Sequence, residues 1–275
     1  MFDGISTIIS QFEPISLAEL NACASLQTRT DNKYFVPMSA FIDFTEQIIK
    51  THVVLQIDRE RSFIYDTQYF DTPDLDTYWT NIQGRRKRYK CRSRLYVDSG
   101  LCVFEIKLKG GRGETIKYKI PYREADFERI TPQAEAFLQN CLSTAYNMKL
   151  TKILEPSVRT HYKRVTLMSH DTTERITCDF NLAFALNNEC YGKMVSDHLM
   201  VETKSTLGRG GADQLFWRMG VRPTGGSKYC LGMSLVQPEL RNNPFRQVRN
   251  AYFIQDVKEA TAVQLVDHQG RHIMN

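Results

Sequence analysis

The chain has 275 residues and no apolar run near the roughly 20 that a bilayer-spanning helix needs. Its opening, MFDGISTIISQFEPISLAEL, lacks the basic start and small-residue cleavage site of a secretory signal. Its seven cysteines are odd in number and scattered, and no C-x-x-C pair occurs. Reduced thiols in a cytosolic protein are expected, not a disulfide framework or a zinc site. No internal repeat and no low-complexity stretch is present. Acid is also missing where cations are densest. Arg85 to Arg94 reads RRKRYKCRSR, seven cations in ten residues without one carboxylate, in a chain whose net charge is only +5.

What is present alternates. Phe104, Ile106 and Leu108 oppose Glu105, Lys107 and Lys109, and Ile116, Tyr118 and Ile120 oppose Lys117 and Lys119. Ile176, Cys178, Phe180 and Leu182 oppose Arg175, Thr177, Asp179 and Asn181, and Glu202 and Lys204 share one face. Period two is the signature of strands with one apolar and one charged side. Helices are expected over 39–50, 73–83, 132–147 and 212–219. Two of these have a threonine cap followed by proline in the first turn (Thr72-Pro73 and Thr131-Pro132). From about Gln237 the character changes, so 1–236 reads as the main domain and 237–275 as a tail or small appendage.

Side chains at i, i+2 and i+4 of a strand project to one side, about 7 Å apart. Lys90, Arg92 and Arg94 therefore form a cationic row, with Tyr89, Cys91, Ser93 and Leu95 opposite. For one strand, a solvated face explains such a row as well as a site does. Several strands sharing it is different, because like charges opposed across neighbouring strands repel, and a polyanionic ligand offsets that repulsion. The expected fold is α+β: an antiparallel β-barrel with a cationic interior, flanked by helices on its apolar outer faces. Glu105, Asp179 and Glu202, interleaved among the cations, are candidate oxygen ligands for a hard divalent ion.

The sequence resembles the polyphosphate polymerase domain of the vacuolar transporter chaperone (VTC) type, one of the triphosphate tunnel metalloenzymes of the CYTH-like superfamily. The segments that carry the likeness are RTDNKYFV (Arg29 to Val36), YFDT (Tyr69 to Thr72), YKCRSRLY (Tyr89 to Tyr96) and EIKLK (Glu105 to Lys109). RTHYKR (Arg159 to Arg164), ERITCD (Glu174 to Asp179), VETK (Val201 to Lys204) and GSKYCLG (Gly226 to Gly232) follow in the family's order. The resemblance implies that Lys33, Arg92, Arg94, Lys107, Lys117, Arg159, Arg175 and Lys228 hold phosphates. Lys33, Arg92, Arg94, Lys107, Arg159 and Lys228 also carry catalysis. Arg164, Lys109 and Lys204 stand at further basic positions. Glu202 matches the metal ligand, with Glu105 a second candidate, and the cofactor implied is Mn2+ or Mg2+.

The reaction implied is transfer of a γ-phosphoryl group, from ATP or another nucleoside triphosphate, to a growing polyphosphate chain. Hydrolysis of triphosphates and non-catalytic sensing of polyphosphate or nucleotide are the alternatives. Tunnel hydrolases and cyclases open with E-x-E-x-K; here Arg29 and Asp31 stand in place of the two glutamates, which favours the polymerase branch. Nucleic acid is a weaker partner, since the basic cluster lacks the regular aromatics of a stacking platform. A cytoplasmic subunit is expected, with a separate membrane protein as a candidate partner. Neither the inositol-phosphate-sensing domain nor the membrane helices of eukaryotic relatives are expected.

Overall fold

Alternating residues put more of this chain into strands than into helices, as a computed structural model shows for residues 2–23, 30–111, 114–187, 189–206 and 208–255. In chain order the elements begin with α1 (Phe2–Ser10), β1 (Glu13–Ile15), α2 (Leu17–Ala22), β2 (Thr30–Pro37), α3 (Met38–Ile48), β3 (His52–Leu55) and β4 (Phe63–Asp71). They continue with α4 (Asp76–Ile82), β5 (Tyr89–Tyr96), β6 (Leu101–Lys109), β7 (Thr115–Tyr122), α5 (Pro132–Tyr146), β8 (Glu155–Ser169) and β9 (Glu174–Leu186). The last are β10 (Glu189–Met194), β11 (His198–Ser205), α6 (Gly211–Arg218), α7 (Lys228–Val236), α8 (Arg246–Tyr252) and β12 (Phe253–Gln255). The chain divides into two units. Unit 1 is Met1–Phe63, Tyr162–Leu182 and Met194–Gly225; unit 2 is Ile64–His161, Ala183–Lys193 and Gly226–Asn275.

In unit 1 the strand order is β1, β3, β8, β9, β11, β2. All its registered pairs are antiparallel except β1 with β3. One side of this sheet is apolar and covered by helices. Phe41, Phe44 and Ile48, at spacings of three and four, put one stripe of α3 onto Val165, Leu167, Ile176, Cys178, Leu199 and Val201. Phe44 stacks on Phe216 of α6 at 4.3 Å between ring centroids. Each fully buried phenylalanine contributes about 1.5–3 kcal/mol.

In unit 2, β8, β4, β5, β6 and β7 follow one another, and the end of β9 pairs with β10. The apolar side carries Phe70, Cys91, Phe104, Ile106 and Leu108, and α5 covers it with Ala134, Leu138, Cys141 and Leu142. Helix α5 starts where expected. The Thr131 side chain accepts from Ala134 N–H, proline stands in the first turn, and Asn147, at φ 49°, ends the helix in the left-handed region.

The sequence and the structure differ in several places. Neither unit's strand order returns to its first strand, so the pairings give open antiparallel sheets where a closed barrel was expected. Alternation marks which side of a strand is charged, not which strands pair last. Helix α4 begins at Asp76, not Pro73, because Leu75 takes a left-handed conformation at φ 58°. Helices α1, α2 and α7 were not anticipated. Residues past Gln237 form α8 and β12, the latter beside β10 in unit 2; Arg29 and residues 256–275 lie outside the described residues.

Candidate functional site

Register decides what the charged sides contain. In unit 2, Lys90 of β5 pairs with Lys107 of β6, and Lys107 pairs with Lys117 of β7. Three lysines thus stand in one transverse row on three adjacent strands. The next row on the same face is Tyr69, Arg92, Glu105 and Lys119. The row beyond holds Thr67, Arg94 and Val103.

Two arginines in these rows share one carboxylate. Glu105 Oε2 accepts from Arg92 Nε at 2.7 Å and lies 2.6 Å from Arg92 Nη2 and 3.7 Å from Arg94 Nη1. Burial raises the Glu105 pKa, but the charges of Arg92 and Arg94 outweigh it and hold the carboxyl far below its ordinary range. Arg92 also donates to the Tyr69 hydroxyl at 3.0 Å, and Arg94 lies over the Tyr65 ring at 5.5 Å. The two guanidiniums are therefore held in set orientations before any ligand arrives.

Helix α7 supplies Lys228, which is 9% exposed. The α7 start is fixed by Ser227, whose hydroxyl accepts from Cys230 N–H at 3.2 Å. It is also fixed by Tyr229, whose hydroxyl donates to the buried Asp71 carboxylate. Asp71 accepts as well from the backbone N–H groups of Thr72, Thr77 and Tyr78 at 2.8–2.9 Å. The aspartate of YFDT thus ties β4, α4 and α7 together. Tyr229 and Tyr69 rings lie 5.2 Å apart, which sets the head of α7 beside the Arg92 face.

Arg159 is placed differently. It grips Asp66 and also Glu128, the latter at 2.7 Å, and lies over the Phe127 ring. Asp66 alternates with Thr67 and Tyr69 on β4, so it stands on the Phe70 side of the sheet. Arg159 is therefore not brought together with Arg92 and Arg94.

In unit 1 the charged side carries Asp31 and Lys33 of β2, Glu202 and Lys204 of β11, Arg175, Thr177 and Asp179 of β9. Lys33 pairs with Glu202 and Glu202 with Thr177; Asp31 pairs with Lys204 and Lys204 with Arg175. Arg164 of β8 grips the buried Asp179 at two points, 2.6 and 2.8 Å. Arg175 spends one nitrogen on the Leu20 carbonyl at 2.8 Å. Lys204, 7% exposed, has its ammonium 2.8 Å from Glu202 Oε1. Burial pushes the Lys204 pKa down, and Glu202 opposes that shift.

On the opposite side of these strands, Asp213 of α6 accepts from Tyr34 at 2.6 Å, Asn32 at 3.0 Å and Thr203 at 2.5 Å. It pins α6 to β2 and β11 and so fixes the strands that present Lys33 and Glu202.

Among the described residues, no group of three or more His, Cys, Asp or Glu side chains is placed to hold a metal. Glu105 is committed to two arginines. Glu202 fits the remaining possibility: magnesium and manganese commonly take one or two carboxylates and complete their shell with water and substrate phosphates. The partners that sequence reasoning missed are Asp66, Tyr65 and Tyr69. Tyr65 and Tyr69 share a two-residue period with Thr67, and that pattern was the signal available for them.

The VTC domain family model matches residues 28–237, and the chain belongs to the VTC domain family. No curated protein matches the chain. Among solved structures, a proposed adenylyl cyclase from Hippeastrum, described as having a dominant triphosphatase activity, is 13% identical. It matches over 74% of this chain and 94% of its own at a TM-score of 0.48. A proposed adenylate cyclase from Vibrio parahaemolyticus is 17% identical over 64% of this chain and 75% of its own, at 0.37. One from Bacillus halodurans is 10% identical over 73% and 94%, at 0.41.

Proposed function

We propose that this protein is a metal-dependent phosphotransferase that moves the γ-phosphoryl of a nucleoside triphosphate, ATP first among them, onto a growing polyphosphate chain. Membership of the VTC family supports the reading. The observation that carries it is the transverse row of Lys90, Lys107 and Lys117. Three like charges in direct register destabilise a sheet, and a bound polyanion offsets that cost.

Both donor and acceptor are phosphates, so no serine, cysteine or histidine nucleophile is required. Catalysis then rests on in-line positioning and on neutralising the charge that spreads over the transferring oxygens. Arg92 and Arg94, oriented by Glu105, suit two-point contacts to phosphate. Arg164, oriented by Asp179, is set in the same manner. Lys33, Lys107, Lys117 and Lys228 serve as point charges. Glu202 is the residue that would hold a divalent ion, which would supply Lewis-acid stabilisation of the charge on the transferring phosphoryl group. Lys204 occupies that carboxylate otherwise and keeps it from standing as an unpaired charge.

The test follows ADP, polymer and free phosphate together, from ATP with manganese or magnesium and a short polyphosphate primer. A lengthening polymer with ADP in step is expected. Stoichiometric free phosphate without polymer would replace this reading with a triphosphatase. Tight triphosphate binding with neither product would leave a sensor.

A further inference from the structure

The cations of unit 2 do not end with the strand rows. Immediately before β5, Arg85, Arg86 and Lys87 are exposed, and Arg88 is half-buried. Their backbone is held in place. Arg88 Nη1 donates to the Gly84 and Arg85 carbonyls, and Lys87 Nζ donates to the Tyr146 carbonyl at the end of α5. Arg85 N–H donates to the Thr80 carbonyl at 2.9 Å, which closes the loop onto α4.

This loop is pinned to the end of β6. The Tyr146 hydroxyl accepts from Lys109 N–H at 2.8 Å and lies 2.7 Å from the Arg88 carbonyl, while Lys109 N–H also donates to Arg88 O. The Arg86 guanidinium lies 3.4 Å from where a Cβ on Gly111 would stand. Arg85, Arg86, Lys87 and Arg88 therefore join Lys109 at the end of the sheet where the Lys90, Lys107 and Lys117 row begins. Glu114 is the acid just before β7, with its carboxylate folded back on Gly110.

A triphosphate does not account for this. Three phosphates span about 8 Å, and strand cations two residues apart already cover about 7 Å per step. The loop extends the positive charge beyond that span. We propose that the Arg85–Arg88 loop and Lys109 at the end of β6 form an outer cationic track for a linear polyphosphate longer than three units. This rests on the polyphosphate reading of the strand rows and deepens it, since the track selects chain length. The loop has no aromatic side chain between Arg85 and Arg88 on which a base would stack, so polyphosphate fits it better than nucleic acid.

The experiment compares tripolyphosphate, a polyphosphate of tens of units and a single-stranded oligonucleotide as ligands of the full chain. Wild type is set against a variant with Arg85→Gln and Arg86→Gln. In the variant, long-polymer affinity should fall about tenfold at low salt, with its salt slope reduced by roughly one for each cation removed. Tripolyphosphate affinity should stay unchanged, which also shows that the variant folds. Equal long-polymer binding by both proteins overturns the track and leaves the polyphosphate reading intact. A wild type that binds the oligonucleotide as tightly as the polymer, with both lost in the variant, assigns the loop to nucleic acid and overturns the proposal. A wild type that binds long polymer through the loop yet takes no tripolyphosphate supports the track and removes the reading of the strand rows.

Discussion

Arg159 holds Asp66 at two points: its Nε lies 2.9 and 3.0 Å from the two carboxylate oxygens, and its Nη2 lies 2.5 Å from Oδ2. The Asp66 side chain is 2% exposed and that of Arg159 24%. Breaking a buried pair by removing one partner costs about 3–5 kcal/mol, and the partial exposure of Arg159 places this pair at the lower end. Asp66→Ala should lower stability by about 3 kcal/mol in urea unfolding. Arg159→Ala should destabilise in the same way while changing triphosphate affinity less than about twofold, as expected for a residue without ligand contact. A large loss of triphosphate binding at an unchanged unfolding midpoint would return Arg159 to the phosphate site.

Arg92 and Arg94 are the contrast. They stand two residues apart on one side of β5 and share Glu105. Replacing either with alanine should weaken triphosphate binding by about 2–3 kcal/mol if its charge-assisted contact is desolvated. Calorimetric titration of both variants beside Arg159→Ala separates the two faces. Unchanged affinity in both would make the row a solvated surface.

These two cases show what the sequence contains. The charged sides of β5, β6, β7, β9 and β11 were legible because period-two alternation is written locally. The orientation of Arg159 was not, since its partner Asp66 lies 93 residues away and meets it only through the pairing of β8 with β4. Helix α7 escaped for another reason. All nine of its residues are buried, so it has no polar side and no apolar stripe for a 3.6-residue period to reveal. The YFDT and GSKYCLG segments were recognisable as motifs, but the hydrogen bond from Tyr229 to Asp71 that links them is a tertiary fact.

Glu105 carries a pH dependence. Arg92 and Arg94 depress its folded-state pKa below the ordinary 4.5 in spite of burial, which acts the other way. A carboxyl depressed in this sense stabilises the fold above its unfolded value and loses that contribution as pH falls toward the folded value. Wild-type stability should therefore decline as pH is lowered from about 4.5. Glu105→Gln should be less stable at neutral pH and show a flatter decline over the same range. Parallel pH profiles from thermal unfolding would remove Glu105 as the source.

Lys204 and Glu202 bring the metal question down to one contact. Their 2.8 Å ion pair occupies the carboxylate proposed to hold a divalent ion, so on that proposal metal and ammonium would compete for it. Glu202→Gln keeps the size of the side chain and removes the charge. It should abolish manganese binding, read directly by calorimetry or by the spectrum of the ion, and with it divalent-dependent turnover. Lys204→Met removes this competitor and should tighten manganese binding several-fold in the absence of nucleotide. Lys204 also has a depressed folded-state pKa, so the unfolded chain holds more protons below the ordinary 10.5. Stability of the wild type should rise with pH as that value is approached from below, and Lys204→Met should lose this rise. Manganese affinity unaltered by either substitution would separate Glu202 from the metal and send the search for its ligand to the other acids of the same face, Asp31 and Asp179.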